Sequence, residues 1–331
     1  MCAAPERLTA PTRQSGERRA GLVSANVTAP RVAIGPRPSE FAVAAVSAGG
    51  GEPAEPDSPA DALIWLAPQD TDGLHAALVS TSARWIQLSS AGVELVLAAG
   101  LLDPERAWTC AKGSYAEPVA EHALMLALTG LRSIRQRIEA RSWGKHGGQS
   151  LYDEPVSILG GGGITRALLT LLAPFRVTAT VVRRNPDPVL GAARTLPEAM
   201  LPEALSDARV VFLALALTPQ TERIIGAPQL AAMRPDGWLV NVARGRHVDT
   251  DALLVALERD QIGGAALDVT DPEPLPDGHP LWTQPRCIIT PHTADTPEMT
   301  RRPLALRIRE NVARFAAGEP LRGLVDPLAG Y

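Results

Sequence analysis

From Val156 onward the chain consists of short, bare hydrophobic runs separated by helical segments, a pattern that few folds can satisfy. The runs cover residues 156–159, 177–182, 210–215, 238–242, 265–269 and 287–290. A strand with one wet face alternates polar and apolar side chains; these do not, so both faces must be covered. Helical patterns at 164–173 (halted by Pro174), 228–233 and 249–258 lie between the runs and supply the crossovers. The expectation is an α/β fold with a doubly wound, mostly parallel sheet.

Upstream the signal is weaker. It predicts a strand at 31–34, a helix at 38–47, an exposed loop through 49–59, and strands at 62–66 and 85–88. One long helix is predicted between Pro118 and Trp143, apolar nearly all round from Glu121 to Leu131, as suits burial between domains or subunits. A last helix spans 298–317 and stops at Gly318. A chain of 331 residues suits two domains.

Residues 1–28 show no helix or strand period and read as a disordered tail; Arg7, Arg13, Arg18 and Arg19 leave a transit peptide as the alternative. A net charge of −4, from 32 basic and 36 acidic residues, gives no footprint for nucleic acid. No apolar run is long enough to span a membrane. Cys2, Cys110 and Cys287 are an odd number without metal-ligand spacing, which favours a reducing cytoplasm over a disulfide framework and supports no metal site.

The first run leads straight into Gly160-Gly161-Gly162-Gly163 and a helix opening at Ile164. Such a turn lets backbone amides and a helix dipole approach a pyrophosphate, although a glycine cluster can also be a flexible turn. Gly160 and Gly162 take the first two glycine places, and Thr165 stands in the third, implying a slightly wider helix–strand contact. After the second run come Arg183, Arg184 and Asn185, where an acid would bind the ribose of NAD. Guanidinium groups there suit a 2′-phosphate and favour NADP(H); the alternative is a solvated arginine loop.

Arg244, Glu273 and His292 each follow a predicted parallel strand, at the end where open α/β sheets bind ligands. Arginine forks onto a carboxylate, histidine exchanges a proton near neutrality, and a carboxylate can orient that histidine. Taken singly, the three could be a salt bridge, a loop acid and a satisfied histidine. His122 reads as a packing or hydrogen-bonding residue, and His75, His146, His247 and His279 lie in or near polar loops without partners at any recognisable spacing.

With these residues in view, the chain from Trp85 to Phe315 resembles the D-isomer-specific 2-hydroxyacid dehydrogenases. The likeness is carried by Ser90-Ala91-Gly92-Val93-Glu94, Val119-Ala120-Glu121-His122-Ala123-Leu124, the glycine turn, Thr218-Pro219-Gln220-Thr221, Asn241-Val242-Ala243-Arg244-Gly245, Leu267-Asp268-Val269 with Glu273-Pro274-Leu275, and Pro291-His292. The stretch Ala62-Leu63-Ile64-Trp65-Leu66-Ala67-Pro68 further resembles the glyoxylate/hydroxypyruvate reductase branch.

The resemblance implies two Rossmann-like domains: a nucleotide domain, 119–298, inserted in a smaller substrate domain, 29–118 plus 299–331. It implies hydride transfer between NAD(P)H and a small 2-keto acid. His292 would be the acid, Glu273 its partner and Arg244 the carboxylate grip, with the backbone at Ala91 and Gly92 completing that site. Trp65 and Leu66 are candidate pocket walls. Cofactor contacts would come from Gly160, Gly162, Gly163, Ile164, Arg183, Arg184, Thr221, Val242 and Ala243, with Asp268 on the nicotinamide side. A homodimer built around the 119–143 region is implied as well. Departures are Thr165, Arg183, and Ala216 where a proline is usual.

A formate dehydrogenase, which carries glutamine where Glu273 stands, fits less well. So does a phosphoglycerate dehydrogenase with a regulatory extension. The alternative from another class is a non-enzymatic NAD(P)-responsive corepressor on the same fold.

Overall fold

The computed structural model describes residues 28–327, so the segment read as a tail lies outside it except for Thr28. Five strands form a first sheet: β1 (Arg31–Gly35), β2 (Glu52–Ala54), β3 (Ala62–Trp65), β4 (Trp85–Leu88) and β5 (Ala107–Thr109). Their order is β2-β1-β3-β4-β5. Seven more form the second sheet: β6 (Pro155–Leu159), β7 (Thr178–Val182), β8 (Arg194–Leu196), β9 (Val210–Leu213), β10 (Trp238–Asn241), β11 (Gly264–Leu267) and β12 (Cys287–Ile289), in the order β12-β11-β10-β9-β6-β7-β8. Pairing is parallel throughout both sheets.

The helices are α1 (Glu40–Ala48), α2 (Thr71–Ser80), α3 (Glu94–Ala98), α4 (Ala116–Leu131), α5 (Ile134–Glu139), α6 (Gly163–Leu172), α7 (Leu201–Asp207), α8 (Ala227–Ala232), α9 (Thr250–Glu258), α10 (Pro280–Thr283) and α11 (Pro297–Ala317). Every residue of β3, β4, β9, β10 and β11 is buried, which is why these strands read as bare hydrophobic runs. The doubly wound expectation therefore holds. β6 has β7 on one side and β9 on the other, so the strand order reverses there and a crevice opens beyond their carboxyl ends. The glycine turn leaves β6 at that point.

Helix α11 returns the chain to the first sheet, packing on α1 so tightly that Gly49 faces the Arg309 carbonyl. The strand-like segment after it pairs with β5 through Cys110 N to Gly323 O and Val325 N to Trp108 O.

Four expectations need correction. The loop predicted at 49–59 contains β2, which tolerates Pro53 because it lies at the sheet edge. The second sheet has seven strands instead of six, β8 being a three-residue edge strand, and β5 likewise closes the first sheet. Helices α2, α3, α7 and α10 were not foreseen. The single helix over 118–143 is broken: α4 stops at Leu131, Ser133 takes a left-handed φ of 50°, and α5 is only six residues long.

Candidate active site

Gly160 has φ +106°, and a Cβ there would strike the Ala214 carbonyl, so only glycine fits where β6 meets the β9 loop. Gly162 caps α6 without any side chain, and nothing lies within 4 Å of where its Cβ would be. The closest helix contact falls at Gly163, against Gly113 and Ala116. Thr165 is fully buried and its hydroxyl donates to the Gly160 carbonyl at 2.9 Å, so the residue in the third glycine place ties the turn to its helix.

A recess of about 210 Å³ is lined by Gly162, Gly163, Ile164, Val242, Ala243 and neighbouring residues. An open, uncapped helix start beside this space fits the phosphates and ribose of a dinucleotide. Arg183 lies across the turn, its Cδ 2.9 Å from a Cβ built on Gly161. Arg184 is exposed. Thr221 does not line the recess. Its hydroxyl accepts from Thr218 N and donates to the Ala216 carbonyl, both at 2.8 Å, which pins the 216–221 loop. His247 grips the same loop, with Nδ1 3.0 Å from the Thr221 carbonyl and Nε2 3.2 Å from that of Leu215. The polar-loop reading of His247 needs correction: its ring is fully buried, and burial pulls its pKa down. His279 also has a partner, accepting from Leu281 N as the cap of α10.

A cavity of about 950 Å³ adjoins the recess and collects the chemistry. Arg244 reaches it from the end of β10, where buried Asn241 clamps the turn by donating to the Arg244 carbonyl and accepting from Ala243 N. Next to it, Gly245 packs so closely on Thr270 O that a Cβ would collide. His292 arrives after β12 with φ 52°, a left-handed conformation uncommon for a residue with a side chain. Its Nδ1 is 2.5 Å from Glu273 Oε1. A carboxylate can only accept, so Nδ1 carries the proton and Nε2 is left for a ligand. Ala91, Gly92 and Leu66 line the cavity.

Trp65 does not. Its ring is buried against Gly35 and its Nε1 donates to the Ala67 carbonyl at 2.8 Å. On a strand, neighbouring side chains face opposite ways, and Trp65 joins Leu63 in the core behind the sheet.

The left-handed turn at His292 is held from below by Asp268, which is almost fully buried. Its carboxylate accepts from the Thr290 hydroxyl at 2.6 Å, Thr293 N at 3.0 Å and Ala294 N at 3.1 Å, with His122 Nε2 at 3.2 Å. Its carbonyl accepts from His292 N at 2.8 Å. Burial alone would raise the Asp268 pKa, but the hydrogen bonds from His122, Thr290 and Thr293 outweigh it and hold the carboxyl below its ordinary range. Asp268 also lines a small pocket between the recess and the cavity, with Val119, Ile164 and Val242.

Two acids escaped the sequence reading. Glu94 pairs with Arg244 at 2.9 Å from a point 150 residues away in the chain. Asp295 lines the cavity beside His292, and burial raises its pKa. Neither could be assigned by spacing alone. Among the described residues, no group of three or more His, Cys, Asp or Glu gathers to hold a metal, and no helix is long and apolar enough to cross a membrane.

A family model described as D-isomer specific 2-hydroxyacid dehydrogenase, NAD binding domain, matches residues 122–294. An uncharacterized protein in the proB 3′ region of Corynebacterium melassecola is 37% identical over 300 residues, covering 88% of this chain and 97% of its own. Glyoxylate/hydroxypyruvate reductase A of Serratia proteamaculans is 30% identical over 294 residues, covering 83% of this chain and 89% of its own. The crystal structure of a D-isomer specific 2-hydroxyacid dehydrogenase from Xanthobacter autotrophicus Py2, in complex with NADPH and MES, superposes with a TM-score of 0.79 at 27% identity. It covers 92% of this chain and 100% of its own.

The chain belongs to the D-isomer specific 2-hydroxyacid dehydrogenases. It is an NAD(P)-dependent oxidoreductase, similar to the glyoxylate/hydroxypyruvate reductase branch of that family.

Proposed function

We propose that this chain reduces a small 2-keto acid, of glyoxylate or hydroxypyruvate size, to the D-2-hydroxy acid, with NADPH as the preferred reductant. The convergence of Arg244, Glu273 and His292 on one cavity, next to a recess suited to a dinucleotide, carries the reading. The nicotinamide, when bound, supplies the hydride. Arg244 receives the substrate carboxylate together with the backbone at Ala91 and Gly92, and its charge polarises the neighbouring carbonyl. His292 delivers a proton from Nε2 to the carbonyl oxygen as the alkoxide develops. Glu273 holds the ring by Nδ1 and stabilises the charged imidazole. Asp268 fixes the height of the His292 turn and lies at the nicotinamide side of the pocket.

Arg183 supports the choice of NADPH, because it lies over the glycine turn where a 2′-phosphate would come within reach. Residues 29–118 with 299–331 serve as the substrate domain and 119–298 as the nucleotide domain. A homodimer built around the 119–143 region belongs to the same proposal: Met125, Ile134, Ile138 and Trp143 are exposed there, Trp143 at 91%, and suit a second subunit. A cytoplasmic location agrees with Cys110 and Cys287 as free buried thiols.

Steady-state kinetics on glyoxylate, hydroxypyruvate, pyruvate and phenylpyruvate with both reduced cofactors test the whole reading. His292→Ala should cost about 10²–10⁴ in rate, and Arg183→Asp should reverse a preference for NADPH. No turnover with any of the four acids would favour a non-enzymatic binding role. A higher kcat/KM with NADH in the wild type would sink the cofactor assignment.

A further inference from the structure

Arg244 is not poised by its own strand alone. The guanidinium Nε donates to Glu94 Oε1 at 2.9 Å and Nη2 lies 3.4 Å from Oε2, while Nη1 donates to the Ala243 carbonyl at 2.7 Å. Glu94 opens α3 and hangs from the five-stranded sheet, whereas Arg244 follows β10 of the seven-stranded one. Gly92 makes room for the pair, since a Cβ there would run into both Arg244 Nη2 and Glu94 Oε2.

We infer that Glu94 is a positioning residue for the substrate: it holds the side edge of the Arg244 guanidinium so that the end edge faces a carboxylate in the cavity. Arginine carries five N–H donors in a planar fork. Glu94 takes one on Nε and one on Nη2, and Ala243 takes one on Nη1. One N–H on each terminal nitrogen remains, and together these form the end-on pair that receives a carboxylate bidentately. A long flexible side chain is thereby ordered before the ligand arrives, which spares binding that cost.

The inference rests on Arg244 being the carboxylate grip. Its test measures kcat and KM for hydroxypyruvate, and for methylglyoxal, which offers a carbonyl without a carboxylate. Variants are Glu94→Ala, Glu94→Asp, Glu94→Gln and, as reference, Arg244→Ala. The aspartate keeps the charge but loses a methylene of reach; the glutamine keeps the reach and one acceptor. Glu94→Ala and Glu94→Asp should each raise KM for hydroxypyruvate about tenfold, the worth of one charge-assisted hydrogen bond. Glu94→Gln should fall between them and the wild type; KM for methylglyoxal and NADPH affinity should hardly change, while any kcat loss from weaker polarisation of the carbonyl should be shared by both substrates.

Equal kinetics in all Glu94 variants would overturn the inference and leave an ordinary half-exposed ion pair. A lower KM in Glu94→Ala would overturn it in the other direction, making Glu94 a competitor of the substrate. An equal rise in KM for methylglyoxal would reveal a general structural role, which also defeats it. If Arg244→Ala itself leaves hydroxypyruvate KM unchanged, the assignment of Arg244 as the grip fails first.

Discussion

Replacing Asp268 with asparagine should damage stability and turnover together. The carboxylate accepts from four donors: Thr290 Oγ1, Thr293 N, Ala294 N and His122 Nε2. An amide in the best orientation keeps one oxygen for the three donors at Oδ1 and turns an NH₂ group toward Ala294 N. A buried donor then faces a donor, which costs about 1–3 kcal/mol. The bonds that survive lose their charge assistance and weaken by up to about half. Together these amount to roughly 3 kcal/mol of stability, or about 4 °C in Tm for a chain of 331 residues. The His292 turn hangs from the same residue, and a shift of about 1 Å in a reacting group can cost about 10²-fold in kcat.

Urea titration and steady-state kinetics measure the two effects. The Asp268 carboxyl titrates below its ordinary value of 3.8 when folded, so its contribution is present above that pH and is lost as pH falls through the folded pKa. The gap between wild type and Asp268→Asn should therefore close in acid. A variant within about 0.5 kcal/mol of the wild type, with unchanged kcat, would refute this account of the turn.

Asp295 should show the opposite pH sign. Burial raises its folded pKa above 3.8, so the cost of ionising it appears as pH rises past 3.8 and is complete above the folded value. Asp295→Asn should raise Tm at neutral pH and change nothing well below 3.8; a gain that persists in acid would contradict the cause given. Gly245→Ala should destabilise by about 1–3 kcal/mol through overpacking against Thr270 O, and should lower kcat/KM because Arg244 is its neighbour; chemical denaturation with a keto-acid assay checks both. Light scattering should report twice the 35.0 kDa chain mass, and a particle of the single mass would remove the dimer.

The parts of the fold that were legible in sequence are those buried on both faces. Strands β6, β9, β10 and β11 have no solvent side to interrupt their hydrophobic runs. Strands β2, β5 and β8 are three-residue edges, and Pro53 in β2 looks like a loop residue until its neighbour is known. The break after α4 is set by contacts from far along the chain, including Gln149 N on the Leu131 carbonyl and Trp238 against Gly130. Local periodicity does not carry that information.

For the site, Arg244, Glu273 and His292 were recognisable by residue type and by following strands, and they do meet. The pairing of Glu94 with Arg244 was invisible because it joins different sheets. Trp65 was misplaced for a simpler reason: its strand is hydrophobic on both sides, so residue type did not reveal which face points to the cavity.

The return of α11 onto α1, and of Val325 onto Trp108, bears on how the protein is made. A ribosome has delivered all seven strands of the second sheet once Ile289 has emerged, so that sheet can close during synthesis. The first sheet emerges much earlier but lacks its covering helix and the partner of β5 until the last forty or so residues arrive. Its exposed α1 surface must therefore wait through most of translation, and a ribosome-stalled chain ending near Thr290 should present a folded nucleotide unit beside an unfinished, chaperone-accessible one.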